Sequence, residues 1–301
     1  MMTSRPAGRL VIAGIGEVLW DVLQDSEELG GAPINFAYHA GALGAEAYAI
    51  SCVGDDRRGT AALHELAKRS VSTEYITVLP GATTGYVLAE VDSRGIATYT
   101  FPDDVAWDRL VIADATAELG KRLNAICFGS LAQRSPISRQ AIMNYLGKVG
   151  PATLKVFDLN IRQHFYNREI IEMSLDIADV LKLNDDEIVV LGGMFGLTGN
   201  QDTQMRQLVE RFSLRLGVLT RGGNGSLLVS PGSVSDHPGY PANIVDTIGA
   251  GDSFTAATVL GFLKGLSLAQ INDQANRIAA YVCSCQGAMP SLPEEMVMRS
   301  C

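Results

Sequence analysis

The order of strand-like and helix-like segments predicts an α/β fold with a mostly parallel central sheet. From residue 125 onward, short apolar runs alternate with helical patterns, and this alternation predicts parallel strands joined by right-handed crossovers. The first apolar run, Leu10 to Gly16, is continuous, as expected of a strand buried on both faces. Open sheets of this type bind ligands at the carboxyl ends of their strands, so we expect functional residues there.

Length and composition indicate a globular protein made of one large α/β domain or two small ones. Of the 301 residues, 47% are hydrophobic and 19% are charged, which allows a substantial core. The net charge of −9 argues against a nucleic-acid partner, because phosphate backbones require basic surfaces. We expect no membrane span and no signal peptide, because no window reaches the ~20 apolar residues that a span needs.

The cysteines indicate a reducing compartment. They form an odd set without a disulfide-like pattern: Cys52, Cys127, Cys283, Cys285 and Cys301. Cys283 and Cys285 have no histidine near them, so a zinc site is not expected. These features predict a cytoplasmic protein.

The N-terminal half is expected to contain a β-hairpin between its strand–helix units. Strands are predicted over 46–53, 84–91 and 96–101. One helix is predicted over about 35–44, and a second from the turn at 54–59 to about residue 70. The last two strands are joined by residues 92–95, Asp-Ser-Arg-Gly, which have the length and turn chemistry of a hairpin.

The C-terminal half alternates regularly. Strands are predicted over 125–130, 153–158, 179–183 and 216–220, and helices over 137–149, 168–177, 185–191, 201–212, 254–263 and 268–285. Residues 225–230 are expected to return as an antiparallel edge strand after the glycine-rich turn at 222–225.

A glycine-rich turn followed by an acid stands before the helix at 254–263. Gly249, Ala250 and Gly251 carry nothing larger than a methyl group, so a bulky anion can approach their backbone. A helix N-terminus, with its unpaired N–H groups, also suits phosphate. Asp252 then stands where it can accept a proton from a hydroxyl that attacks a bound phosphate. Alternatively, Asp252 is only the N-cap of the helix.

Two stretches carry a family resemblance. Residues 246–254, Asp-Thr-Ile-Gly-Ala-Gly-Asp-Ser-Phe, resemble the C-terminal signature of the ribokinase-like sugar kinases, the PfkB family. Residues 29–37, Leu-Gly-Gly-Ala-Pro-Ile-Asn-Phe-Ala, resemble its N-terminal signature in the form of the fructokinase branch. The resemblance implies one ribokinase-like kinase domain over 1–301: a three-layer α/β/α sandwich with a small β-sheet lid formed by about 17–32 and 84–105.

The resemblance also implies a set of sugar-binding residues. Asp21 is expected to hydrogen-bond sugar hydroxyls, because a carboxylate can accept two such bonds. In the family the two glycines and the Asn that match Gly30, Gly31 and Asn35 face the sugar. Arg162 is expected to contact sugar or phosphate as a bidentate donor. The alternatives are structural: Asp21 as a strand-end acid, Asn35 as a helix cap, and Arg162 paired with a surface acid.

A second implied set binds the nucleotide and its ions. It comprises Asn184, Thr220, Gly222, Gly225, Gly251 and Asn276, the last near adenine. Asn184 and Glu187 match the family pattern Asn-x-x-Glu, in which the carboxylate acts on Mg²⁺, partly through water. The same spacing is that of a capping box, and both roles are compatible. Asp246 is expected near a monovalent cation such as K⁺, or it braces the loop.

The resulting hypothesis is an ATP- and Mg²⁺-dependent kinase that phosphorylates a primary hydroxyl of a small sugar, with fructose first. Gly249, Ala250 and Gly251 would stabilise the transferring phosphoryl group, and Asp252 would take the proton. Ribose, 2-keto-3-deoxygluconate and nucleosides stay open as substrates, as does an idle sugar-sensing protein on the same fold. An oxidoreductase is disfavoured, because Gly14-Ile15-Gly16 lacks the third glycine of the dinucleotide fingerprint. Homodimerisation through exposed lid strands is a further expectation.

Overall fold

The computed structural model describes residues 8–22, 26–91 and 97–298, and two β-sheets organise them. In chain order, strands β1 to β13 are Val11–Ile15, Leu19–Val22, Glu27–Gly30, Glu46–Gly54, Ser72–Leu79, Gly85–Val91, Ala97–Thr100, Ala125–Gly129, Leu154–Asp158, Val180–Asn184, Leu216–Thr220, Ser226–Ser230 and Ser233–His237. The large sheet has nine strands in the order β13-β12-β11-β10-β9-β8-β1-β4-β5. All neighbours from β11 to β5 pair in parallel, and β12 and β13 extend the sheet antiparallel. The predicted α/β class is therefore confirmed.

Helices cover both faces of the large sheet. Helices α1 to α9 are Ala32–Ala42, Arg57–Lys68, Thr116–Arg122, Pro136–Leu146, Arg168–Ile177, Asp185–Phe195, Gln201–Arg211, Ala250–Leu263 and Leu268–Cys283. On one face, α1, α8 and α9 bury apolar side chains such as Phe36 and Phe254. On the other face, α3 to α7 bury side chains such as Ile142, Ile171 and Leu208. These are the three predicted layers. No helix in the described ranges is long and apolar enough to cross a bilayer.

The small sheet, of four strands, lies at the chain positions predicted for a lid. Its order is β3-β2-β6-β7, with β2 and β6 parallel and the outer pairs antiparallel. The predicted hairpin is confirmed by the antiparallel pairing of β6 with β7. The turn predicted at residues 92–95 lies outside the described residues.

The structure adds elements that the sequence pattern did not predict, and it corrects one prediction. Strand β5 and helix α3 were not anticipated, and neither was β13. Because β13 pairs outside β12, the strand at 226–230 is not the edge of the sheet, contrary to the prediction. The β13 sequence, Ser-Val-Ser-Asp-His, is polar and partly exposed, so it lacks the apolar run by which a buried strand is recognised.

Candidate active site

A cavity of about 900 Å³ opens where the parallel strands end and the small sheet begins. Its walls include Glu17 and Arg162, two and four residues after β1 and β9, and the last residues of β10 and β11, Asn184 and Thr220. The position agrees with the expectation that open α/β sheets bind ligands at the carboxyl ends of strands.

Most of the predicted site residues line this one cavity. They are Asp21, Gly31, Asn35, Arg162, Asn184, Thr220, Gly222, Gly225, Gly249, Ala250, Gly251, Asp252 and Asn276. Gly30, Glu187 and Asp246 stand outside its wall. The structure thus brings together residues that are as much as 255 positions apart, from Asp21 to Asn276.

Asp252 is held in the cavity wall by a side chain from another helix. Asn35 Nδ2 donates a hydrogen bond of 2.8 Å to Asp252 Oδ2. Burial raises the pKa of Asp252 to about 6, and the charge of Asp158 adds to the rise. Asp252 is the third residue of α8, whose N-cap is Gly249, so the alternative that Asp252 caps the helix is wrong. The alternative of Asn35 as a cap is also wrong, because Gly31 is the N-cap of α1.

The turn before α8 requires glycine at position 249, the N-cap of the helix. Gly249 has φ +78°, and a Cβ there would lie 2.2 Å from the carbonyl oxygen of Ala288. Among the described residues, no side chain hydrogen-bonds the first turn of α8 as a cap, although the Ala250 N–H donates a bond of 3.3 Å to the carbonyl of Thr247. The residues of this helix start line the cavity, and a helix start without a side-chain acceptor attracts anions.

A buried ion pair lies beneath this turn. Lys182 Nζ is 3.0 Å from Asp158 Oδ1, and both side chains are less than a tenth exposed. The two residues are register partners in neighbouring strands β9 and β10. Thr255 Oγ1 lies 3.3 Å from the other Asp158 oxygen, and Lys182 itself lines the cavity. Burial alone would lower the pKa of Lys182, but the charges of Asp158, Glu187 and Asp252 raise it, so this cation stays charged.

The side of the cavity formed by β1, the small sheet and α1 is rich in acids. Burial raises the pKa of Glu17 to about 7 and that of Asp21 to about 6. Arg162 opposes both shifts through its positive charge. Its guanidinium is exposed, and within the described ranges its one hydrogen bond is a long one, of 3.4 Å to the carbonyl of Ile161. No ion pair of Arg162 with a surface acid is found among the described residues, so Arg162 stays available to a ligand.

Asn184 and Glu187 form the capping box that their spacing predicts. Asn184 Oδ1 accepts from the backbone N–H of Glu187 at 2.9 Å, and Glu187 Oε2 accepts from that of Asn184 at 2.8 Å. The other oxygen, Glu187 Oε1, accepts from the N–H of Ile161 at 2.8 Å. Glu187 is 5% exposed and outside the cavity wall, so its role toward Mg²⁺ stays a prediction, whereas Asp185 reaches the wall.

Asp246 and Asn276 also make structural contacts. Asp246 accepts hydrogen bonds from the backbone N–H groups of Ile248 and Gly287, at 3.0 and 3.1 Å, and thereby braces the loop before α8. Asn276 donates to Ser226 Oγ at 2.7 Å and belongs to a buried polar cluster with Asn272. Asn276 remains at the cavity wall, so a contact with a nucleotide base stays a prediction.

The donor set fits Mg²⁺ that arrives with a phosphate ligand. Within the described ranges, no three His, Cys, Asp or Glu side chains are grouped to hold a metal by themselves. Mg²⁺ commonly needs only one or two carboxylates, completed by phosphate oxygens and water. Asp185 and the amide of Asn184, both at the wall, are suitable oxygen ligands.

Sequence reasoning missed several cavity or near-cavity residues. Glu17, Lys182, Asp158 and Thr255 were assigned no role, although the structure places all of them around Asp252. The available signal was a lysine in the apolar strand Val-Leu-Lys-Leu-Asn beside a strand that ends in Asp. A buried Lys and a buried Asp are rarely tolerated unless they pair.

Comparison with known proteins agrees with this geometry. A family model described as pfkB family carbohydrate kinase matches residues 11–295. The chain belongs to the pfkB family. The matched range contains every residue of the cavity wall, and the family resemblance of the two motifs is thereby confirmed.

Three relatives in this pfkB family illustrate the similarity. A protein named as a sugar kinase in Pyrococcus horikoshii is 30% identical over 297 residues, covering 92% of this chain and 91% of the relative. A fructokinase of Klebsiella pneumoniae is 29% identical over 301 residues, covering 93% and 95%. A 5-dehydro-2-deoxygluconokinase of Geobacillus kaustophilus is 25% identical over 280 residues, covering 88% and 83%.

Solved structures confirm the ribokinase-like fold. The crystal structure of the Pyrococcus horikoshii sugar kinase has a TM-score of 0.80 to this chain at 29% sequence identity, and it covers 93% of both chains. A second structure of that protein, in complex with ATP, has a TM-score of 0.79 at 28% identity and covers 93% and 94%.

Proposed function

We propose that this protein transfers the γ-phosphoryl group of ATP to a primary hydroxyl of a small sugar, with fructose as the first candidate. The observation that carries the proposal is the position of Asp252. Its half-buried carboxylate is held by Asn35 at the start of a helix for which the described residues provide no side-chain cap. A general base and an anion-binding turn are then adjacent, which is what phosphoryl transfer to a hydroxyl requires.

In the proposed reaction, the sugar hydroxyl oxygen attacks the γ-phosphorus while Asp252 takes the hydroxyl proton. The bond from the γ-phosphorus to the β–γ bridging oxygen breaks, and ADP leaves with the electron pair of that bond. A pKa of about 6 leaves Asp252 ionised at neutral pH and close to the value at which a general base is most effective.

The transferring group would be stabilised by the protein's own donors. The backbone N–H groups of Gly249, Ala250 and Gly251 would face its oxygens, and Lys182 would add positive charge from below the turn. Bound Mg²⁺, near Asn184 and Asp185, would offset the negative charge of the β- and γ-phosphates. Thr220, Gly222, Gly225 and Asn276 would hold the rest of the nucleotide.

The sugar would occupy the acid-rich side beneath the small sheet. Asp21 and Asn35 would accept or donate hydrogen bonds to its hydroxyls, with Arg162 exposed nearby. Fructose is favoured by the Gly-Gly-Ala-Pro stretch and by the fructokinase relative. The dehydrodeoxygluconokinase relative supports a second candidate, a sugar acid or its analogue, whose carboxylate Arg162 would bind.

The proposal is tested by measuring ADP release from Mg-ATP with a panel of neutral sugars and sugar acids, with and without added K⁺. We expect release with fructose and none without sugar. Release with a sugar acid but with no neutral sugar would support the kinase function and replace fructose as the proposed substrate. If the protein binds ATP but releases no ADP with any of the sugars, the result would contradict the kinase function and favour a sugar-sensing role.

A further inference from the structure

A buried carboxyl group on the acid-rich side of the cavity lacks a partner for one oxygen. Glu17 lies two residues after β1, is 1% exposed and lines the cavity. Its Oε2 atom makes no hydrogen bond within the part of the chain that the structure describes. Burying a carboxyl without partners is costly, so an atom of this kind at a cavity wall indicates that a ligand supplies the missing bond.

A second unpartnered acceptor lies on α1. Asn35 Oδ1 is buried and makes no hydrogen bond among the described residues, whereas Asn35 Nδ2 is committed to Asp252. Carboxylate and amide oxygens accept hydrogen bonds and do not donate them. The two atoms together therefore call for hydrogen-bond donors on the ligand.

The backbone holds Glu17 against the start of α1. Gly31, the N-cap of α1, has φ +117°, and a Cβ there would lie 2.4 Å from the carbonyl oxygen of Glu17. Glu17 lines the same cavity as the proposed base Asp252 and as Arg162, and the charges of both act on its carboxyl. The backbone of Glu17 is thus packed closely against the start of α1.

The charges around Glu17 restrict what the ligand can be. Glu17, Asp21 and Asp252 are all acids in the same wall, and Arg162 is the exposed cation that opposes them. An anionic group at Glu17 would meet like charges, whereas a hydroxyl could donate its hydrogen to the unpartnered Glu17 oxygen. The surroundings select an uncharged polyol at this point.

We propose that Glu17 is a sugar-binding residue whose Oε2 atom accepts a hydrogen bond from one sugar hydroxyl other than the one that is phosphorylated, while Asn35 Oδ1 accepts from a second donor. Glu17 thereby selects sugars that carry the hydroxyl it binds. This inference rests on the proposed sugar kinase function and names the feature of the substrate, a hydroxyl group, that the site recognises. It assigns no proton transfer to Glu17.

The test compares Glu17→Gln with Glu28→Gln, a matched change on the half-buried β3 outside the cavity wall. Sugar binding is followed by the increase in melting temperature that the sugar causes, and turnover by ADP release. The sugars are fructose and its monodeoxy analogues. For Glu17→Gln we expect sugar affinity to fall roughly 10- to 100-fold, the range for a hydrogen bond to a charged group, with the KM for ATP unchanged.

The monodeoxy analogues separate a binding role from a structural one. Wild type and Glu28→Gln should bind one analogue much more weakly than fructose, and Glu17→Gln should bind that analogue and fructose almost equally. If all three proteins discriminate equally between fructose and its monodeoxy analogues, the assignment is overturned. It is also overturned if Glu17→Gln binds fructose with wild-type affinity. If the wild type binds sugar but releases no ADP, the kinase function is contradicted, while the binding comparison still decides the role of Glu17. If no sugar binds, both the kinase function and the role of Glu17 are contradicted.

Discussion

Asn35 of α1 and Asp252 of α8 are joined by a hydrogen bond of 2.8 Å, although 217 residues separate them in the chain. The two helices pack side by side on one face of the large sheet. Each of them begins at a glycine turn that lines the cavity, at Gly31 and Gly249. The contact therefore joins the proposed sugar side of the cavity to the proposed phosphate side.

Removing the Asn35 amide should shift the acid limb of the activity profile. The Asn35 hydrogen bond lowers the pKa of Asp252, which burial has raised to about 6. In Asn35→Ala we expect the pKa of Asp252 to rise, so kcat/KM should begin to fall at a higher pH than in wild type. The exposed Asn144→Ala serves as the control. An acid limb that stays in place in Asn35→Ala would contradict the coupling.

Asp252→Asn should abolish most turnover and leave the fold intact. An asparagine is isosteric and can still accept the bond from Asn35, but it cannot take the hydroxyl proton. We expect kcat to fall by roughly 10²–10⁴-fold with little change in melting temperature. Asp186→Asn, an exposed acid in the first turn of α6, is the matched control. A variant within a few-fold of wild type would exclude Asp252 as the base.

The sequence predicted those parts of this site that lie in recognisable family motifs. Asp21 and Asn35 could be placed because the segments that contain them resemble the family, and the turn at Gly249 because Gly-Ala-Gly precedes a helix. The start of α8 was predicted four residues late, at Phe254 instead of Ala250, which is why capping by Asp252 stayed open until the structure was known. Helix ends are poorly specified by local pattern alone.

The residues that could not be predicted depend on register or on burial. Lys182 and Asp158 are partners only because β9 and β10 are neighbours with Lys182 opposite Asp158. The two residues are 24 positions apart, and although a lysine in an apolar strand indicates a buried partner, the sequence does not say which acid that partner is. Glu17 was passed over because a Glu after a Gly-x-Gly stretch looks like an ordinary turn residue until its burial is known.

The ion pair of Lys182 with Asp158 should show strong coupling in stability. Lys182→Met leaves the carboxylate of Asp158 buried without its cation, which typically costs about 3–5 kcal/mol of unfolding free energy. In Lys182→Met with Asp158→Asn the buried charge is absent, so much of that loss should be recovered. Urea unfolding of both single variants and the double variant measures the coupling, with the exposed Lys148→Met as control. Strictly additive losses would contradict a direct pair.

The stability of the ligand-free protein should fall as the pH rises from about 5 to about 7. Burial raises the pKa of Glu17 to about 7 and the pKa values of Asp21 and Asp252 to about 6. In the unfolded chain these groups lose their protons near pH 4. Buried His39, whose pKa is lowered to about 4, opposes this by one proton below pH 6.5, but the three acids outweigh it. The folded state therefore binds more protons than the unfolded state, so the free energy of unfolding decreases with pH and levels off above the folded pKa values.

Glu17→Gln should flatten the upper part of that slope, because glutamine has no proton to lose near pH 7. The measurement is urea unfolding at several pH values between about 5 and 8, with Glu210→Gln as an exposed control that should follow wild type. Sugar should reduce the slope in wild type, since hydroxyls that donate to the Glu17 carboxylate favour its charged form. A slope unchanged in Glu17→Gln would mean that the Glu17 carboxyl is already ionised at pH 5 in the folded protein, contrary to the effect of its burial.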